Sequence, residues 1–496
     1  MKRKILLIEP PFRRLYKESY SLDRYPLSLA YLAGAIGKGT DWEVQSFNGD
    51  FSPKCERLRV GYLTGEGFQN YLRNLQDLSS PVWQELKAVV ARAAPAVVGI
   101  SAKSQNFKSA CLAAKLVKSL SQEIRVVLGG PHPSMIKGGV LECPDIDVAV
   151  KGEGEQTIVD LLRAFEAEKD LREIHGIVYR EGKEILENPD REPLEDLDSL
   201  NFPHETAKEV LIHFDQYPLT AFRNIFASRG CPYNCFYCGS RNIWGRRVRF
   251  RSPEHVAREI KGLEEMGIAS IHFDDDTFGI NKDYICRLVR AIQTHCPGIK
   301  WSCEIHPRLV DEETIDLMKE GGCYLIQVGI ESGNNEMLRA IRKNITIEEA
   351  LWACEVIKKR GIEVQTFFII GFPEETEETL RDTYQAIKKI RSDSLIYNIF
   401  TPYPGTEAFE FCRERGLVDE AFDVALYNHQ SPVNCFCLNM DLATFRRHAS
   451  RIERYIDRKN ILNRVRRSFS RNLAWRLEEK GLRGALREAA RISLGR

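Results

Sequence analysis

From Lys4 onward the chain alternates short aliphatic or β-branched runs with longer amphipathic stretches, the pattern of a parallel sheet covered by helices. Strands are predicted at 5–8, 43–47, 96–101, 125–128 and 147–149, enough for one doubly wound, Rossmann-like α/β domain. A helix over 156–167 and a hairpin of 174–179 with 183–187 cap it, so the first domain spans 1–187. The acidic, proline-bearing stretch that follows reads as a linker, 188–222. Alternation then resumes six times within 223–405. Strands are predicted at about 224–228, 269–274, 299–304, 324–330, 363–370 and 395–400, with helices near 253–266, 281–295, 311–320, 345–360 and 374–390. Six βα units thus follow one another in a second α/β domain. Beyond Pro404 the strands stop, and 406–496 reads as helical.

At 496 residues the chain is long enough for roughly three domains. Its 43% hydrophobic and 28% charged residues fit an ordinary globular protein, and no run of 18 apolar residues suggests a membrane span. The apolar run after Met1-Lys2-Arg3-Lys4 ends at Glu9-Pro10-Pro11 without a small-residue cleavage site, which reads as a strand and not a signal peptide. Fourteen cysteines without paired framework spacing point to a reducing cytoplasm. The net charge of +1 hides an asymmetry, because residues 441–496 hold 16 basic and 6 acidic residues. Phe469, Leu473, Trp475, Leu477, Leu482 and Leu486 interleave with arginines there, as on a basic amphipathic surface. Such a surface suits a solvated helix face, or peripheral contact with an anionic membrane or an acidic protein; nucleic acid is not the partner expected.

Three thiols, Cys231, Cys235 and Cys238, stand at CxxxCxxC spacing after the strand predicted at 224–228. A four-iron cluster normally takes four thiolates, so three leave one iron open to a small molecule carrying an amine and a carboxylate. Zinc sites favour paired CxxC spacing with a fourth ligand, which this loop lacks. A second pair, Cys435 and Cys437, has no third and fourth ligand spaced nearby and is expected to leave the cluster unaffected.

The cysteine spacing, with Tyr237 directly before the last thiol, resembles the signature of the radical S-adenosylmethionine (SAM) superfamily. That resemblance implies a [4Fe-4S] cluster on Cys231, Cys235 and Cys238, the catalytic residues, whose open iron chelates SAM and cleaves it to a 5'-deoxyadenosyl radical. It also implies an electron donor of the flavodoxin or ferredoxin type. The six βα units of 223–405 match the partial (β/α)6 barrel that the resemblance implies, and residues at the carboxyl ends of its strands are then SAM-binding candidates. They are Asp276 among Asp274-Asp275-Asp276, where relatives often carry GGE; Arg308 for the SAM carboxylate; Glu331 in Gly329-Ile330-Glu331-Ser332; and Gly371 in Ile369-Ile370-Gly371-Phe372-Pro373-Glu374. An alternative use for the aspartates is to cap the next helix, and for Glu374 to serve as a helix N-terminal carboxylate. Tyr397 and the 401–406 turn are expected to close the barrel.

The first domain resembles the cobalamin-binding domain that precedes many such barrels, through its Pro10-Pro11 loop, Tyr25-Pro26-Leu27-Ser28-Leu29-Ala30-Tyr31-Leu32, the Gly129-Gly130-Pro131-His132-Pro133 turn and Gly152-Glu153-Gly154-Glu155. The implied cobalamin contacts are Pro10, Ser101, Gly129, Gly130, Gly152 and Gly154, since a tetrapyrrole must approach the backbone closely. No DxHxxG occurs, so no histidine is expected below cobalt, and His132 reads as a turn histidine. The paired domains imply a cobalamin-dependent radical SAM enzyme that methylates an unactivated carbon of a small-molecule or lipid substrate through methylcobalamin. Non-methylating oxidation, rearrangement or ring closure, as in anaerobic magnesium-protoporphyrin ester cyclase, is the alternative. A cobalamin- or cluster-binding regulator without turnover is the alternative of another class.

Overall fold

The computed structural model describes residues 3–56, 58–427 and 431–468, and divides into two compact units: one formed by residues 1–266 and 401–434, the other by 267–400 and 435–496. The hydrophobic side chains of the tail from Phe469 onward lie outside the described residues. Among those described, no helix is long and apolar enough to cross a membrane.

The first unit is built on a seven-stranded sheet. Its strands are β1 (Lys4–Glu9), β2 (Glu43–Asn48), β3 (Val97–Ser101), β4 (Arg125–Gly129), β5 (Val148–Val150), β6 (Ile177–Glu181) and β7 (Glu184–Glu187), in the order β2-β1-β3-β4-β5-β6-β7. The first five pair in parallel. Successive side chains point to opposite faces, so Leu6, Ile8, Val98, Ile100, Val126 and Leu128 pack under one helical layer. Ile5, Leu7, Val97, Val127 and Val148 pack under the other. The hairpin does more than cap: β6 runs antiparallel to β5, with Val150 opposite Ile177, and extends the sheet. Pairing satisfies the donors and acceptors that β5 would otherwise leave at an edge. Between β2 and β3, where no element is predicted, lie three helices, Val60–Thr64, Glu66–Asn74 and Pro81–Ala93. The last buries Trp83 completely, its indole N–H donating to the Asn74 carbonyl at 2.7 Å.

The stretch read as a linker holds the helix Pro203–Val210. The run predicted as one strand over 224–228 is broken into β8 (Asn224–Ile225) and β9 (Ser228–Arg229), and β9 pairs antiparallel with β10 (Arg249–Phe250). In the second unit β11 (Ser270–Phe278), β12 (Lys300–Ile305), β13 (Cys323–Glu331), β14 (Glu363–Ile370) and β15 (Ser394–Ile399) pair in parallel in chain order, each joined to the next through helices. This is the repeating βα unit of the predicted barrel. One correction concerns Asp274, Asp275 and Asp276, which lie inside β11 and not beyond its end. The register with β12 shifts between Phe273 and Phe278, so the aspartates occupy the irregular segment.

The helix Leu442–Ser468 carries much of the basic character of 441–496, yet it is docked. Phe445, Ile452 and Ile456 are buried, and Asn460 bonds both the N–H and the C=O of Leu395 in β15 at 2.8 Å. Lys459 donates to the carbonyls of Ile387 and Ile390 at 2.7 and 2.8 Å, where helix Glu377–Lys389 ends; burial lowers its pKa to about 8.

Candidate active site

In a sheet ordered 2-1-3-4-5 the connections leave β1 and β3 in opposite directions, opening a crevice at their carboxyl ends. Pro10 follows β1 there and Ser101 ends β3; both are buried. The Pro10-Pro11 loop is held by Asp50, which accepts the N–H groups of Phe12 and Arg14 at 3.0 Å each.

The glycine turns after β4 and β5 complete this rim. Gly130 has φ +101°, and a Cβ would stand 2.8 Å from the Ala102 carbonyl, so no other residue fits. Gly152, at φ +68°, has no atom within 4 Å of a Cβ position, and Gly129 meets only Val150, at 3.9 Å. Gly154 is closer, at 3.0 Å from Leu32. Ser134, which sequence reasoning did not single out, ties the two turns: it donates to Gly130 O and accepts from Gly152 N, both at 2.9 Å. A bare backbone rim with open space over Gly129 and Gly152 fits a broad planar cofactor. His132 is 1% exposed, enclosed by Ser104, 3.0 Å from its Nδ1, and by the Phe107 ring at 4.3 Å. Burial lowers its pKa to about 4, and its Nε2 has no hydrogen-bond partner.

The cysteine loop leaves β9 and returns at β10. Gly230, at φ +105°, is required because a Cβ would strike the Arg247 carbonyl across the stem. Cys231, Cys235 and Tyr237 are half-buried and Cys238 is exposed. Cys238 N–H closes a turn on Cys235 O at 3.2 Å, and Ser240 N–H points to Cys238 Sγ at 3.5 Å, the kind of contact that tunes a cluster sulfur. Arg241 braces the exit, bonded to Asn234 at 2.7 Å and Glu407 at 2.6 Å, while Asn242 reaches Gly405 O at 2.7 Å. A Cβ on Gly239 would lie 2.6 Å from Met135 Sδ, so the loop packs directly on the helix Pro131–Ile136 that follows the β4 turn. Among the described residues no three His, Cys, Asp or Glu side chains converge on one ion position. A cluster does not need that convergence, since each thiolate takes its own iron.

In β11 Asp275 is buried, Asp274 partly so and Asp276 exposed; the next helix, Lys282–His295, is capped by Asn281 and not by an aspartate. Arg308 is exposed after β12. Glu331 ends β13 at φ +72°, a left-handed conformation unusual outside glycine, and its buried carboxylate meets Lys343 Nζ at 2.8 Å. Sequence reasoning missed Lys343, twelve residues on. Gly371, at φ +89°, leaves room for the Phe445 ring, 2.9 Å from a Cβ position. Glu374 is exposed and precedes helix Glu377–Lys389, whose N-cap is Thr376. The buried acid is its neighbour Glu375, also missed. It accepts the N–H groups of Gly371 and Phe372, and burial raises its pKa to about 8 against those two bonds. Tyr397 is half-buried, its pKa raised by burial and by Glu453. Cys435 is held at a pKa of about 7 by a hydrogen bond from Cys437.

A cavity of about 620 Å³ also opens in this unit, lined by Lys358, Lys388, Arg391, Asp393 and Lys459 among others. It lies where β14 and β15 begin, the end opposite to that which carries barrel chemistry. Lys358 is already paired with Asp393 and Arg391 with Glu355, at 2.7 Å each.

Two family models match, the B12 binding domain over residues 13–162 and the radical SAM superfamily over 225–387. An uncharacterized methyltransferase of Pyrococcus horikoshii is 32% identical over 419 residues, 84% of each chain. The anaerobic magnesium-protoporphyrin IX monomethyl ester cyclase of Rubrivivax gelatinosus is 27% identical over 398 residues, covering 78% of this chain and 70% of its own. Among solved structures, the radical SAM methyltransferase TsrM of Kitasatospora setae, with cobalamin and a [4Fe-4S] cluster bound, superposes with a TM-score of 0.63 at 20% identity, covering 84% of this chain and 78% of that one. The chain belongs to the cobalamin-binding radical SAM enzymes, whose cofactors are SAM, a [4Fe-4S] cluster and cobalamin.

Proposed function

We propose that this enzyme methylates an unactivated carbon of its substrate. One observation carries the reading: the open glycine turns after β4 and β5 and the cysteine loop belong to one compact unit, in contact through Met135 against Gly239. A methyl carrier and a radical source can act on one substrate only when both face it, and this packing supports that arrangement. With the cofactors bound, SAM cleavage at the cluster supplies the 5'-deoxyadenosyl radical and cobalamin supplies the methyl group. In this reading Cys231, Cys235 and Cys238 hold three irons, and Tyr237 lines the cofactor beside Cys238. Gly129, Gly130, Gly152 and Gly154, with Pro10 and Ser101, face cobalamin, and His132 stays off the cobalt. In the second unit Asp276, Arg308, Glu331 and Gly371 are assigned to SAM. The substrate is a small molecule or a lipid, and the electron donor is of the flavodoxin or ferredoxin type.

Anaerobically reconstituted protein, given SAM labelled in its methyl group, should release 5'-deoxyadenosine and transfer label to product. Deoxyadenosine without labelled product would replace this reading with radical oxidation or ring closure, which the likeness to the cyclase favours. Each of Cys231→Ala, Cys235→Ala and Cys238→Ala should abolish the cluster absorbance, whereas Cys435→Ala should leave it intact; iron kept at wild-type levels in all three would end the assignment.

The amphiphilic or lipid substrate class is supported by Ile461, Leu462 and Val465, exposed beside Arg458, Arg464 and Arg466 on the last turns of helix Leu442–Ser468. Each basic residue near an anionic bilayer contributes about 1 kcal/mol. Sedimentation with anionic vesicles should carry down the protein at low salt and release it at high salt. Equal recovery in the supernatant with and without vesicles would return this face to solvent.

A further inference from the structure

β9 and β10 are the two stems of the cysteine loop, and their register places Arg229 directly opposite Arg249. Like charges facing each other across a strand pair oppose pairing, and here both guanidiniums are also buried, 6% and 5% exposed. The stem closes because an anion is inserted from elsewhere. Glu153, in the turn after β5, accepts from Arg229 Nη1 at 2.9 Å and Arg249 Nη2 at 3.0 Å through one oxygen, and from Arg249 Nη1 at 2.9 Å through the other. Leu194 N–H completes its coordination, and Glu155 takes Arg229 Nη2 at 2.6 Å. The Arg229 guanidinium is packed over Phe226 at 4.7 Å and Trp244 at 4.9 Å, so it has no open route to water. Two arginines and two glutamates leave the cluster neutral.

The residue before Glu153 is Gly152, whose face is open to the cofactor crevice, and two residues beyond Arg229 stands Cys231. We propose that Glu153, supported by Glu155, is a positioning residue for the cysteine loop: its carboxylate clamps the two stems and fixes them to the turn that borders the crevice. The proposal rests on the cofactor reading above. It assigns to the two acidic residues of Gly152-Glu153-Gly154-Glu155 a purpose apart from the glycines, which keep the turn bare.

The test uses the full-length, reconstituted protein and follows the electron paramagnetic resonance spectrum of the reduced cluster as SAM is added. In Glu153→Gln the side chain keeps its size and loses its charge, so the stems are no longer clamped. The SAM concentration giving half of the spectral change should rise about ten-fold, while cobalamin affinity, read by absorbance, stays within two-fold. Glu153→Asp should recover most of the loss. If Glu153→Gln yields no soluble protein, Arg249→Lys carries the same prediction, since it keeps the charge and loses the two-pronged grip. A wild type that responds to SAM, with the variants indistinguishable from it, would overturn the proposal alone. A wild type with neither cluster signal nor cobalamin would overturn the cofactor reading and the proposal together.

Discussion

Two strand-end turns, one in each unit, bury a glutamate next to glycine and treat it in opposite ways. After β5, burial pushes the Glu153 carboxyl up, but Arg249 and Arg229 more than reverse this and hold it below the usual range. After β14, no cation pairs with Glu375 among the described residues; it folds back onto the N–H groups of Gly371 and Phe372 and is pushed up to about 8. The first turn is ionic and joins three segments distant in the chain. The second is local and stays largely protonated near neutral pH. What decides the difference is whether another segment brings a cation, which neither turn's own sequence specifies.

The sharpest way to break the contrast is Glu153→Ala. It strands the buried Arg249 guanidinium and leaves Arg229 with Glu155 alone, and removing one side of a buried pair costs about 3–5 kcal/mol, so the urea midpoint should fall steeply at pH 7. Because the Glu153 pKa is depressed in the folded state, its contribution is present above the ordinary value of 4.5 and lost as pH falls through the folded value. Glu375→Gln should act in the other direction. A raised pKa favours the folded state below 4.5 and loses that advantage as pH climbs to about 8. The variant should therefore match or exceed wild-type stability at pH 8, by up to about 3 kcal/mol, and lose the gain near pH 5. Thermal melts at the two pH values check it, and a destabilised variant at pH 8 would show that the carboxyl is ionised. The glycines give the smallest effects. Gly371→Ala adds a collision with Phe445 to left-handed strain and should cost about 2 kcal/mol, whereas Gly152→Ala carries strain alone, about 1 kcal/mol. Only Gly152→Ala should weaken cobalamin binding, measured by absorbance titration.

Much of this was legible in the sequence, because strand alternation and the three-thiol spacing are local signals. The strand over 363–370 lies where its aliphatic run predicts, and most others fall within a residue or two. The aspartates of β11 were misplaced because a register shift is decided by the neighbouring strand. The helices of 60–93 were overlooked among the mixed polar and apolar residues of that stretch. The turn after β5 was recognised by its glycines, but Arg229 and Arg249 come more than seventy residues later, beyond the reach of any local pattern. Lys343 against Glu331 escaped for the same reason at a shorter distance. Glu375 was missed by one position, since choosing between it and Glu374 depends on which side chain turns inward.

The docking of Asn460 on Leu395 reaches beyond the helix that supplies it. An outermost strand exposes a row of donors and acceptors that a second polypeptide can copy into a longer sheet, the usual beginning of aggregation. By occupying both groups of Leu395, near the start of the strand, with an amide, helix Leu442–Ser468 interrupts that row at the strand β15. Shortening the chain before residue 460 would therefore uncover an adhesive margin, and concentrated solutions of such a fragment should scatter light where the full chain stays clear.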